Sequence, residues 1–111
     1  MKVFISVGMS GRDKDDIAND IERAYEHIRM IYGDDAEIVH NWYCPPPSDS
    51  ESAGRCYYLS RAIELLGTCD VCYFDGDWRK SKGCLIEMLV CKLYGISVAI
   101  EPSSRKIHAP L

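Results

Sequence analysis

Apolar residues in this chain fall into two alternating patterns. Short runs at residues 2–7, 36–40, 71–74 and 96–100 have strand length and are bounded by Gly, Asp, Asn or Pro. Between them lie longer segments with apolar residues on one helical face. The first runs from about Asp13 to Tyr32, with Ile17, Ile21, Ala24, Ile28 and Ile31 forming one stripe and Gly33 stopping it. Asp13, Asp15 and Asp16 suit the positive end of its dipole. Glu22, Arg23, Glu26 and Arg29 read as its solvated face, with His27 a surface histidine among them. The second helix spans about Arg55 to Leu66, with Leu59, Ile63 and Leu66 inward and Gly67 at its end. The third follows Ser81-Lys82-Gly83 and stops at Gly95.

The resulting order, β-α-β-α-β-α-β, predicts an α/β domain over residues 1–111 with a parallel sheet covered by helices on both faces. Right-handed crossovers make a flavodoxin-like three-layer sandwich with strand order 2-1-3-4 the natural solution. Strands one and three then flank the point where the order reverses. That sets the loop Gly8-Met9-Ser10-Gly11 beside the turn from Asp75 to Gly83, at the carboxyl ends of the strands where ligands bind in such sheets. The segment 41–54 reads as a loop, long for a compact domain. Its Trp42 and Tyr43 fit either stacking on a base or plugging the core. The tail 102–111 has no periodicity and reads as a cover for the sheet edge or a partner contact.

Composition narrows the chemistry. A net charge of -4 over 111 residues argues against a nucleic-acid binder, which needs a basic face. No run approaches the roughly 18 apolar residues of a membrane span. Residues 1–8 read as a strand and not a leader, so a cytoplasmic setting with reduced thiols is expected. The six cysteines lack the paired spacing of a zinc site, and no metal or cofactor is expected. Cys69-x-x-Cys72 enters a strand and not a helix, so its side chains are expected on opposite faces and the thiols act as buried hydrophobes.

Three stretches are candidates for chemistry. Glu87 is a carboxylate among Leu85, Ile86, Met88 and Leu89, and a buried charge is retained only where it is used or hydrogen-bonded. The loop from Gly8 to Gly11 lets a ligand approach the backbone, although a plain tight turn fits equally. The turn at Asp75, Ser81, Lys82 and Gly83 leads into the helix carrying Glu87; for Lys82 an anion contact and a solvated lysine are both open.

Taken together, Phe4-Ile5-Ser6-Val7-Gly8-Met9-Ser10-Gly11, Cys69-Asp70-Val71, Trp78-x-x-Ser81-Lys82-Gly83-x-x-x-Glu87 and Tyr94-Gly95-Ile96 resemble the nucleoside 2-deoxyribosyltransferase-like superfamily, in particular its small, often phage-encoded members. The resemblance implies either transfer of deoxyribose between bases or hydrolysis of the N-glycosidic bond of nucleoside 5'-monophosphates. It makes Glu87 the nucleophile, Ser81 a phosphate ligand, and Gly8, Ser10 and Gly11 neighbours of the sugar or phosphate. It also implies a homo-oligomer built on dimers; Tyr57, Tyr58, Trp78 and Tyr94, on or near the later helices, mark the surface, unless they pack within one subunit. Three positions depart from the family. Phe4 stands where transferases carry a tyrosine that orients the nucleophile. Ala62 stands where many members carry an aspartate, with Glu64 or Asp75 as possible substitutes. Ser81 stands where transferases carry an acid. The alternative to an enzyme is a non-catalytic nucleotide-binding protein using the same pocket.

Overall fold

The computed structural model describes residues 1–8, 11–40 and 51–101. Four strands, β1 (Lys2–Ser6), β2 (Glu37–Val39), β3 (Val71–Phe74) and β4 (Ser97–Ile100), alternate with helices α1 (Lys14–Tyr32), α2 (Glu51–Leu66) and α3 (Lys82–Tyr94). All pairings are parallel, in the order β2-β1-β3-β4. This is the flavodoxin-like α/β arrangement that the alternating pattern predicts.

The two central strands are buried along their whole length apart from Lys2. Their side chains alternate between two cores. Val3, Ile5, Val71 and Tyr73 pack under α1 with Ile17, Ile21, Ala24 and Ile28. Phe4, Cys72 and Phe74 pack on the opposite face with Ala62, Leu66, Cys84, Met88 and Cys91 of α2 and α3. Phe4, Tyr73 and Phe74 are each almost completely buried. Burial of one such ring stabilises the fold by about 1.5–3 kcal/mol.

Several expectations shift in detail. Helix α2 starts four residues before the predicted Arg55, so residues 51–54 leave the long loop; Gly54 sits within the helix, where glycine costs about 1 kcal/mol relative to alanine. The turn after β3 contains a short 3₁₀ helix, Trp78–Lys80, and Trp78 is buried against Phe74 instead of forming surface. Ile31 ends the α1 stripe but is exposed. Strand β4 reads as an apolar run, yet it is an edge strand and leaves Val98 and Ile100 largely exposed.

The charged face of α1 is less simply solvated than its sequence suggests. His27 is half-buried, with Nδ1 2.7 Å from the Tyr73 hydroxyl. Arg23 bridges Asp20 and Glu101, the latter a buried carboxylate just after β4. Cys69 and Cys72 share one core and do not face opposite sides, because the strand begins only at Val71 and Cys69 precedes it. Both are free and buried, as are Cys84 and Cys91. Among the described residues, no helix is long and apolar enough to cross a membrane. The tail 102–111 and the residues 41–50 lie outside the described residues.

Candidate functional site

Parallel pairing of β1 with β3 brings the first-strand loop against the turn that leads into α3. Ser6 lies opposite Phe74, and its backbone carbonyl accepts from the Asp75 N–H at 3.0 Å. Two residues on, Gly8 meets the start of α3. A Cβ at Gly8 would stand 2.9 Å from the Ser81 Cβ, closer than real side chains approach, so only glycine lets the two segments touch. Ser81 is the N-cap of α3, and its Oγ accepts from the Cys84 N–H at 3.3 Å. At the other end, Gly95 closes the helix in the left-handed conformation at φ 73°.

Glu87 lies about one turn into α3. Its position follows from helical spacing: Cys84, Glu87, Met88 and Cys91 form the buried face, while Leu85, Ile86, Leu89 and Leu93 face outward. Glu87 is only 7% exposed. The Ser6 hydroxyl donates to its Oε1 at 2.5 Å, a bond buried between strand and helix. Loss of water pushes the Glu87 carboxyl up to about 7, and the Ser6 hydrogen bond acts against that rise. Thiols have no cationic form and so offer no counter-charge; burial raises Cys72 and Cys84, while a hydrogen bond with Cys72 lowers Cys91. Phe4, two residues before Ser6 on the same face, fills the core and has no polar atom to offer.

The other expected site residues divide. Gly8 meets Ser81, and Glu87, on the same helix as Ser81, meets Ser6 two residues before Gly8. Lys82 is exposed at the first position of α3, and Gly83 is half-buried beside it. Gly11 is exposed with a positive φ of 71° and open space around it. Met9 and Ser10 lie outside the described residues. Asp75 is buried, but it serves the α1 side of the sheet. Its carboxylate accepts from the Asp77 N–H at 3.3 Å, and Asp20 and Arg12 are its charged neighbours. Burial and then Asp20 push its carboxyl upward. Arg12 itself donates to the Gly8 carbonyl at 2.8 Å and pairs with Asp20, so it ties α1 to the same loop.

Neither carboxylate considered as a substitute at the Ala62 position contacts Glu87. Asp75 turns towards α1, and Glu64 is exposed and paired with Arg61 at 2.5 Å. Ala62 is buried in the core.

Two contacts of the site have no local sequence pattern behind them. Ser6 reads as part of an apolar strand, and its one signal is a hydroxyl two residues before the loop. Arg12 carried no pattern at all. Compared with family models, curated proteins and solved structures, the chain matches none. A shallow open groove of about 370 Å³ lies elsewhere, lined by α1 residues including Glu22, Tyr25 and Arg29 together with His40, and it contains none of the expected site residues.

Proposed function

We propose that the protein cleaves or exchanges the N-glycosidic bond of a nucleoside or nucleoside 5'-monophosphate, with Glu87 as nucleophile. The observation carrying this reading is a buried carboxylate in an apolar helix face, held by one hydroxyl, one turn from a capped helix N-terminus that touches a glycine loop. Ionised Glu87 attacks C1' of the sugar as the C1'–N bond breaks and its electron pair leaves with the base. Water or a second base then attacks C1' and returns the carboxylate. The N-terminus of α3, with Ser81 and the Gly8 backbone, forms the anion-favouring end for a 5'-phosphate. Base release from a panel of deoxynucleosides and their monophosphates tests the reading. Release that vanishes in Glu87→Ala supports it; no release from any substrate refutes it. A 5'-phosphate is expected to tighten binding at least tenfold, about 1.4 kcal/mol. Equal affinity with and without the phosphate counts against the phosphate end.

A second reading, a nucleotide-binding protein without turnover, is favoured by one observation. Ala62 is core, Glu64 is exposed and paired with Arg61, and Asp75 accepts from the Asp77 N–H, so neither carboxylate considered for the Ala62 position is placed to protonate the leaving base. Binding without base release selects it. On either reading we expect a second copy of the chain against the outer face of α3, where Leu85, Leu89 and Leu93 are 45–70% exposed in one row and Tyr94 is exposed at the helix end.

A further inference from the structure

We propose that Ser6 is the positioning residue of Glu87: its hydroxyl fixes which carboxylate oxygen is free to react and favours the form that reacts. This deepens the glycosidic reading and rests on it for the reaction, but not for the contact.

The argument starts from the backbone. Ser6 is 1% exposed and is the last residue of a central strand. Its carbonyl is held by Asp75, and its Cα is in register with Phe74. The hydroxyl therefore projects from a rigid element towards α3 and does not have to be ordered when substrate arrives. Donation to Oε1 leaves Oε2 as the attacking oxygen. When Oε2 bonds to C1', Oε1 becomes the carbonyl oxygen of the glycosyl ester and keeps the same donor. When water displaces the ester, the electron pair returns to Oε2 and the carboxylate again accepts from Ser6. The hydroxyl thus serves every state without moving.

Its surroundings make this donor unusually important. Glu87 shares the buried face of α3 with Cys84, Met88 and Cys91, which pack in one core with Phe4 of β1. Among the described residues, the titratable groups beside it are the thiols of Cys84 and Cys91 on α3 and of Cys72 on β3, and Cys84 also meets the Ser6 hydroxyl. A hydrogen bond to an ionised partner in such a setting is stronger than one between neutral groups. Phe4, where the family's orienting tyrosine is expected, faces the same core without a hydroxyl. Ser6, one strand repeat further on, supplies one.

Two variants test the proposal. Ser6→Ala removes the donor, and Ser6→Cys fills the same space with a weaker one. Carbon-13 NMR of glutamate-labelled protein follows the Glu87 carboxyl directly, and the pH profile of base release follows it in turnover. In Ser6→Ala the Glu87 midpoint is expected to rise by about one pH unit or more. Turnover at pH 7 then falls roughly fivefold, because the ionised fraction drops from about one half to about one eleventh. Most of this deficit should disappear by pH 9, with KM little changed; Ser6→Cys should lie between. A midpoint unchanged in both variants overturns the proposal, as does a loss of turnover independent of pH. If the midpoint moves but the wild-type protein releases no base, the positioning role stands and the glycosidic reading falls.

Discussion

Glutamine at position 87 keeps an oxygen that accepts from Ser6 but removes the ionisation, so Glu87→Gln isolates what the buried charge costs. The carboxyl rises from 4.5 to about 7 on folding. Below pH 4.5 both folded and unfolded chains hold the proton, and the charge costs nothing. As pH rises towards 7 the unfolded chain releases it while the folded chain retains it, so stability falls with pH. Above pH 7 both are ionised and the loss levels off. A gap of about 2.5 pH units at 1.36 kcal/mol each gives about 3 kcal/mol. Urea unfolding of wild type and variant at pH 5 and pH 8 measures it. At pH 8 the glutamine variant is expected to be more stable by about 3 kcal/mol. At pH 5 the advantage shrinks to under about 1 kcal/mol. Because both proteins share every other titrating group, their difference reports position 87. A difference that does not change between the two pH values refutes a buried, proton-binding Glu87. The same substitution should abolish any base release, so the charge that lowers stability is the one the proposed chemistry uses.

Other perturbations probe the frame around it. Gly8→Ala drives a Cβ into Ser81 and should cost about 1–3 kcal/mol by chemical denaturation; an unchanged midpoint means the loop and α3 do not touch. Ser81→Ala removes the cap of α3 and should lower stability by about 1 kcal/mol in the same assay. Tyr73→Phe deletes the half-buried hydrogen bond with His27 and should cost about 1 kcal/mol; no change in melting temperature counts against that bond. Light scattering at micromolar concentration should give at least twice the 12.6 kDa chain mass; a monomer mass rules out assembly through the outer face of α3.

The order of strands and helices was legible in the sequence because strand-length apolar runs such as Val71–Phe74 alternate with longer helical stripes such as the isoleucines of α1. Which run is central was not, since the apolar run of β4 lies at the sheet edge. Gly33, Gly67 and Gly95 mark the helix ends. Glu87 stood out as a carboxylate among Leu85, Ile86, Met88 and Leu89, although only Met88 of these shares its buried face. What lay across from that face was not legible. Ser6 and Glu87 are 81 positions apart, and the pairing of β1 with β3 together with the packing of α3 on that sheet brings them to 2.5 Å. The surroundings of Asp75 and Glu101 were likewise decided by strand register and by Arg12 before α1 and Arg23 within it, which local sequence does not encode. Local pattern measures how a segment buries its own surface. Contacts that tune a carboxylate arise between segments whose proximity is set by the whole sheet, and there the tertiary structure alone was decisive.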